Sequence, residues 1–213
     1  MNLDAMRTYP EDETVDAVII GTGAGGAPVL AKLAAAGASV VALEAGANFT
    51  PEHFAFDETI ADEIYWTDER ISGGSTPEAF GGNNSGTGVG GSMLHWGAFV
   101  PRADARDLRL HSGSGEGVDW PLSAEELRPF YERVEAFLGV SGPQSYPWDD
   151  SRRYPLAPVP RNGPAEIMAA ACEARGVRWA DAPAAVVSRD FQSEDGPLRH
   201  ACINCGFCHQ GCR

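Results

Sequence analysis

The sequence predicts an α/β fold that begins with a Rossmann-like βαβ unit. A short apolar, β-branched run over residues 16–20 is typical of a buried parallel strand. A glycine cluster and an Ala/Leu-rich helix, predicted over residues 27–36 and ended by Gly37, follow it directly. A second apolar run over residues 39–43 ends in Glu44. This order of strand, glycine turn, helix and strand indicates a dinucleotide-binding unit.

The glycine cluster has the spacing G-x-G-x-x-G, with Gly21, Gly23 and Gly26 at the glycine positions and Ala24 between them. The first glycine permits a tight turn, the second lets a pyrophosphate approach the backbone, and the third lets the helix pack closely on the strand. The helix then presents free N–H groups and the positive end of its dipole to the phosphates. A glycine turn without a ligand is the alternative interpretation.

Glu44 stands at the end of the second predicted strand. A carboxylate at this point can accept hydrogen bonds from the ribose hydroxyls of adenosine. It would also repel the 2′-phosphate of NADP, so the sequence disfavours NADP. The motif by itself does not distinguish FAD from NAD.

Composition and charge restrict the class of protein. The 213 residues include 16 Lys and Arg against 30 Asp and Glu, which gives a formal net charge of −14. This excess of acid argues against binding to nucleic acid or to anionic lipid. No apolar run is long enough to span a bilayer, and residues 1–13 contain no apolar stretch of the signal-peptide type. We therefore expect a cytoplasmic protein with reduced thiols and no transmembrane segment.

The middle of the chain is rich in glycine, most densely over residues 73–97. Glycine at this density excludes a helix and marks backbone that packs against a flat or charged group. A flexible linker is the alternative, but the segment also carries Val89, Leu94 and Trp96, which linkers lack. The sequence therefore predicts a glycine-rich loop held against a cofactor.

Two added helices are predicted further along the chain. Ser123 and Glu126 form a capping box, Pro129 is expected to separate the first turn, and Gly139 is expected to end that helix. A second helix is expected over residues 164–175. An apolar stripe of the first helix is expected to face the core: Leu127, Phe130, Tyr131, Val134, Phe137 and Leu138.

The βαβ motif, together with the segment 88–96 (Gly-Val-Gly-Gly-Ser-Met-Leu-His-Trp), resembles the glucose–methanol–choline (GMC) family of flavin oxidoreductases. Its His-Trp ending is most similar to the branch that holds glucose, gluconate and fructose dehydrogenases and pyranose oxidase. Met93 stands where the general family pattern has Ser or Thr, and His95 stands where it often has Asn. The resemblance covers nearly all of the chain and continues in three further segments: 119–121, 127–131 and 138–142.

The resemblance implies a domain organisation. Residues 1–15 would be an N-terminal extension, and residues 16–213 would be the N-terminal part of an FAD-binding domain. Within that part, residues 16–46 would be the dinucleotide-binding unit, residues 73–102 the glycine-rich flavin loop and residues 202–212 a cysteine cluster. The C-terminal FAD portion and the substrate domain would be missing, so we expect an incomplete fold, that is, a fragment.

The resemblance also implies the cofactor, FAD, and its binding residues. Those expected to bind it are Gly21, Gly23, Ala24, Gly26, Glu44, Gly90, Gly91, Ser92 and His95. For His95, three alternatives stay open: a covalent bond to the flavin, a non-covalent contact that tunes it, and simple packing of the loop.

Four late cysteines follow the pattern C-x2-C-x2-C-x3-C: Cys202, Cys205, Cys208 and Cys212. This is the ligand run of bacterial ferredoxins, except that Arg213 stands where Pro is usual. In ferredoxins a remote cysteine completes the first cluster, and the remote cysteine here is Cys172. An iron–sulfur cluster, a zinc ion and thiols without metal are the three interpretations. His209, inside the run, is expected at the surface.

The function implied by the resemblance is oxidation of a CH–OH group of a sugar or other alcohol. Hydride would pass to the flavin, and the electrons would then pass to an acceptor. The catalytic His of the family lies in the C-terminal half, so we expect the catalytic residues beyond residue 213 and name none here. The chain alone is expected to bind FAD weakly and to be inactive. The alternatives are an iron–sulfur electron-transfer module, a non-catalytic truncated remnant and an NAD-dependent dehydrogenase.

Overall fold

The computed structural model describes residues 12–54, 57, 63–66, 70–71, 73–77, 79–80, 85–194 and 196–212. The predicted extension therefore lies mostly outside the described residues, as does part of the glycine-dense segment. The chain forms two compact units. The first unit contains residues 1–97 and 206–213, and the second contains residues 98–205.

The first unit opens with the predicted βαβ motif. Strand β1 (Ala17–Ile20) pairs in parallel with β2 (Val40–Leu43), and Ala17 lies opposite Val40. Helix α1 (Gly26–Ala35) connects the two strands. The prediction of an α/β fold is confirmed, and the motif is compatible with a Rossmann-like unit.

The rest of the first unit consists of short elements. Strands β3 (Arg70–Ile71) and β4 (Ala79–Phe80) pair in an antiparallel manner. Three single-turn 3₁₀ helices cover Pro51–His53, Gly91–His95 and Cys208–Gln210. The second and third of these helices contact each other.

The second unit combines three α-helices with long irregular segments. Its helices are α2 (Leu110–Ser114), α3 (Ala124–Leu138) and α4 (Gly163–Ala174). A 3₁₀ turn, Asp107–Arg109, precedes α2. Strands β5 (Phe191–Gln192) and β6 (Leu198–Arg199) form an antiparallel pair.

The core of the second unit lies around Val140 and Ser141, which are 0% and 2% exposed. The backbone of Ser141 exchanges two hydrogen bonds with Ala184, at 2.8 and 2.9 Å. Its hydroxyl donates to Val186 O at 2.5 Å and accepts from the backbone N–H of Ser188. The buried hydroxyl is therefore satisfied inside the core.

Helix α3 differs from the prediction in two respects. It runs without a break through Pro129, although its capping box at Ser123 is present as predicted. The stripe expected in the core is largely exposed, because Phe130, Val134 and Phe137 are 61%, 55% and 55% exposed. The expectation of a core-facing stripe was therefore wrong for these residues.

A buried ion pair lies on the inward side of α3. Glu135 is only 4% exposed and accepts two hydrogen bonds from Arg102, at 2.6 and 2.7 Å. The Tyr131 hydroxyl, one turn earlier, accepts a hydrogen bond from Ala103 N. One charged side chain of α3 therefore lies on the buried side of the helix with its partner, whereas the other charged residues of the helix are exposed. A buried carboxylate without such a partner would be destabilising.

Within the part of the chain that the structure describes, no helix combines the length and the apolar character needed to cross a membrane.

Candidate functional site

The glycine turn of residues 21–26, here called the first glycine turn, brings β1 and α1 into direct backbone contact. A Cβ atom on Gly26 would lie 2.0 Å from Gly21 O and 3.0 Å from Ile19 Cγ2. Any larger residue would push the helix away from the strand. Ala24 and Gly25 are exposed at the start of α1. The first turn of α1 contains no acidic side chain that would compete for its N–H groups.

Glu44 closes this turn from the end of β2. Its Oε2 accepts hydrogen bonds from the backbone N–H and the hydroxyl of Thr22, at 2.9 and 2.7 Å. Its Oε1 accepts from Gly46 N at 3.0 Å. The backbone N–H of Ala45 is a further donor to this carboxylate, so its roughly four acceptor positions are already used within the chain. An external hydroxyl group would have to replace or share one of these donors.

The same hydrogen bonds keep Glu44 ionised. Partial burial alone raises the pKa of its carboxyl group, but the bonds from Thr22 and Gly46 outweigh this effect. The net result is a pKa below the ordinary value of 4.5. Glu44 is therefore negatively charged at neutral pH.

Thr22 is a functional candidate that sequence reasoning missed. It is 5% exposed, and its Oγ1 accepts a hydrogen bond from Gly90 N at 3.3 Å while donating to Glu44. One hydroxyl group therefore connects the two glycine-rich parts of the chain. The dinucleotide motif leaves this position variable, so the sequence carried no signal for it.

Residues 85–97, here called the second glycine segment, pack backbone to backbone against the first part of the unit. Val89 N donates to Ala47 O at 2.9 Å. A Cβ atom on Gly46 would lie only 2.2 Å from Gly88 N. Sequence reasoning did not single out Gly46, because its requirement for glycine comes from a distant segment.

The two predicted sets of glycines meet at one place. A Cβ atom on Gly91 would lie 3.1 Å from Gly23 Cα, and one on Gly23 would lie 3.8 Å from Gly90 O. The structure thus brings Gly23, Gly90 and Gly91 together beside the start of α1. Ser92 is exposed, and its Oγ accepts a hydrogen bond from Gly86 N at 2.9 Å.

His95 is the most buried side chain of the predicted set, at 3% exposed. Its ring stacks on Tyr65 with 4.4 Å between the ring centroids. Burial lowers the pKa of the His95 imidazole below its ordinary value of 6.5, and the charge of His209 lowers it further. A backbone hydrogen bond opposes these two effects without cancelling them. The imidazole is therefore neutral at neutral pH. Its Nε2 atom is buried without a hydrogen-bond partner among the described residues.

The geometry fits the adenosine and phosphate parts of a dinucleotide. The start of α1 offers backbone N–H groups without a competing acid, and glycine backbone lies on both sides of it. The ionised carboxylate of Glu44 lies beside this turn, where a ribose hydroxyl could share or replace one of its present donors. Each of these features is made by residues of the first unit.

The predicted metal site receives no such support. Cys202 and Cys205 belong to the second unit, whereas Cys208 and Cys212 belong to the first. All five cysteines lie in the described part of the chain, and none forms a disulfide there. Among the described residues, no group of three or more His, Cys, Asp or Glu side chains is arranged to hold a metal ion.

Comparison with known proteins bears on the cofactor. No protein-family profile matches the chain. A 2-methyl-1,2-propanediol dehydrogenase of Mycolicibacterium austroafricanum is 37% identical over 150 residues, which cover 63% of this chain. A gluconate 2-dehydrogenase flavoprotein of Pantoea cypripedii is 29% identical over 93% of this chain. The large subunit of a fructose dehydrogenase of Gluconobacter japonicus is 45% identical over 56 residues, 26% of this chain.

The matches cover only part of each relative. They span 26% of the length of the propanediol dehydrogenase, 39% of the gluconate dehydrogenase flavoprotein and 10% of the fructose dehydrogenase subunit. The resemblance inferred from the sequence is nevertheless confirmed: the chain is a homologue, at modest identity, of the GMC-type FAD oxidoreductases.

Proposed function

We propose that this chain is the amino-terminal, FAD-binding portion of an oxidoreductase that acts on a CH–OH group of a sugar or other alcohol. The observation that carries the proposal is the meeting of the two glycine segments beside the start of α1. Gly23 approaches Gly91 there, and Thr22 holds Gly90 by a hydrogen bond. The names of the relatives point to the same chemistry.

The ADP part of the cofactor would lie on the first glycine turn. The N–H groups at the start of α1 would donate to the pyrophosphate, and its charge would be favoured by the helix dipole. A ribose hydroxyl would donate to Glu44 by sharing or replacing one of the donors that the carboxylate has now. Because Glu44 is ionised, a 2′-phosphate at the same place would be repelled.

The flavin part would lie along the second glycine segment, with Gly90, Gly91 and Ser92 nearest to it. Bound FAD supplies the chemistry of the reaction, which is acceptance of a hydride from the alcohol carbon. The contribution of this chain would be to bind and orient the cofactor. His95, which is neutral and enclosed, would support the backbone of this segment rather than exchange protons.

The residues that remove the hydroxyl proton would belong to the part of the relatives that this chain does not span. We also propose that the whole protein has a substrate domain outside this chain, passes its electrons to an acceptor and is located in the cytoplasm. The chain by itself would bind FAD weakly and oxidise no alcohol, because it would offer only part of the site.

Competition between two adenosine ligands tests the proposal. Weak FAD binding would be followed by quenching of flavin fluorescence. ADP would then be compared, as competitor, with 2′-phospho-ADP, which differs from it only by the 2′-phosphate. We expect ADP to displace FAD, and the 2′-phosphorylated compound to bind at least about tenfold more weakly. Failure of FAD and ADP to bind, or preference for the 2′-phosphate, would refute the proposed site.

Two simple controls address the alternatives. Alcohol-dependent reduction of a dye by the purified chain would contradict its proposed inactivity. A broad brown absorbance without flavin binding would favour an iron–sulfur protein instead.

A further inference from the structure

Three residues that are distant in sequence form a closed ring of contacts within the first unit. The ring of Tyr65 stacks on the imidazole of His95. The Tyr65 hydroxyl donates to the backbone carbonyl of His209 at 2.8 Å. Nδ1 of His209 in turn lies 3.2 Å from the backbone carbonyl of His95. Each residue is therefore held by the other two.

The chemistry of the last contact fixes a tautomer. A carbonyl oxygen can only accept, so Nδ1 of His209 must carry the hydrogen and donate it. The side chain of His209 is exposed, as expected from the sequence, yet it makes a specific contact. Within the cysteine run, His209 therefore makes a defined contact with a residue of the second glycine segment.

The carbonyl group that accepts this bond from His209 belongs to a 3₁₀ helix of the proposed flavin site. His95 is the last residue of the 3₁₀ helix Gly91–His95, and Gly90 immediately precedes that helix. Inside the turn, Gly91 N donates to Gly88 O at 2.8 Å and Met93 N donates to Gly90 O at 3.2 Å. The helix is only five residues long, so a restraint at His95 acts within two turns of Gly91.

Nε2 of the His95 imidazole makes no hydrogen bond among the described residues that would provide such a restraint. This atom has no partner among the described residues, although the side chain is 97% buried. The stacking of Tyr65 and the bond from His209 to the His95 carbonyl are specific restraints at the His95 end, in addition to the bonds of Thr22 to Gly90 and of Ser92 to Gly86. The segment of residues 206–212 carries one of them and packs on the same unit, where Gly211 is buried against Phe54.

We propose that Tyr65 and His209 are positioning residues that set the conformation of Gly90 and Gly91 for the flavin by holding His95. The segment 206–212 thereby serves the cofactor site as a support. This inference rests on the proposed function of the second glycine segment.

Paired substitutions at residue 209 test the hydrogen bond. His209→Ala removes the donor, whereas His209→Asn retains an amide N–H near the position of Nδ1. Tyr65→Phe keeps the stacked ring and removes only the hydroxyl group. Tyr131→Phe is the matched control, because its hydroxyl also makes one backbone contact, to Ala103, and belongs to the other unit.

Two measurements are made on each full-length variant of the chain. Hydrogen exchange of the Gly91 and Met93 amides reports on the turn, with the β1 and β2 amides as internal reference. Titration with FAD reports on the site. For His209→Ala and Tyr65→Phe we expect turn exchange about three- to tenfold faster and FAD binding weaker by a similar factor, as for loss of one hydrogen bond. His209→Asn should recover most of both, and Tyr131→Phe should change neither.

Wild-type exchange and wild-type FAD affinity in His209→Ala would overturn the inference. So would His209→Asn behaving like His209→Ala, because the donor would then be irrelevant. Equal acceleration of the β1 and β2 amides would also count against it, since the effect would be general destabilisation. If the unaltered chain binds no FAD, the proposed function fails, while the exchange of Gly91 and Met93 still decides whether His209 holds the turn.

Discussion

Replacement of Gly46 by alanine should separate the two glycine segments of the first unit. The new Cβ atom would lie 2.2 Å from Gly88 N and 2.6 Å from Gly88 Cα. Ordinary contacts of a Cβ atom begin at 3.4 Å, so the two backbones must move apart by about 1.2 Å. Neither side can yield by rotating a side chain, because the obstructing atoms belong to the backbone.

The size of the effect follows from the bonds that span this contact. The bond from Val89 N to Ala47 O, now 2.9 Å, and the bond from Gly90 N to Thr22 Oγ1, now 3.3 Å, would both be stretched beyond hydrogen-bonding distance. At about 0.5–1.5 kcal/mol each, their loss destabilises the packed arrangement by about 1–3 kcal/mol. This corresponds to a change of about five- to 150-fold in the population of the separated state.

Hydrogen exchange of the Val89 amide, together with FAD titration, measures this effect. Gly46→Ala should accelerate that exchange and weaken FAD binding by about tenfold or more. The matched control is Gly163→Ala, where a Cβ atom would meet nothing within 4 Å. Unchanged exchange and affinity in Gly46→Ala would show that contact between the two segments does not build the site.

Other substitutions test the charges of the two units. Glu44→Gln should reduce the preference for ADP over 2′-phospho-ADP by about tenfold, because the repelling charge is removed; the competition assay shows whether the ratio changes. The lowered pKa of Glu44 means that its charged form stabilises the fold above its ordinary value of 4.5, and that this contribution disappears as pH falls through the lowered folded value. Urea unfolding should therefore separate wild type from Glu44→Gln at neutral pH and bring them together in acid. Arg102→Met should cost about 3–5 kcal/mol of unfolding free energy, because it leaves the Glu135 carboxylate buried without its partner. Adding Glu135→Leu to Arg102→Met should restore much of that loss, and an additive further loss would argue against the pair.

The local parts of this fold could be predicted from the sequence. The parallel βαβ motif follows from two apolar runs and a helical repeat, and its bounds differ from the prediction by a residue. The capping box of Ser123 and Glu126 depends only on residues three apart, so it also appears where expected. These features are decided within a few residues of one another.

The features that sequence reasoning missed depend on distant partners. Gly46 must be glycine because Gly88 approaches it, and Thr22 matters because Gly90 donates to it. The orientation of α3 was mispredicted because apolar spacing was considered without the Arg102–Glu135 pair. No local pattern indicates which arginine a given glutamate will meet.

The central claim is that the two glycine segments together bind FAD. Its most direct test is a titration of the isotope-labelled chain with FAD, followed through backbone amide NMR signals. The account predicts weak binding, with the largest shifts at Gly23, Ala24, Gly90 and Gly91 and little change in α4. Unshifted signals at millimolar FAD, or shifts confined to the second unit, would contradict it.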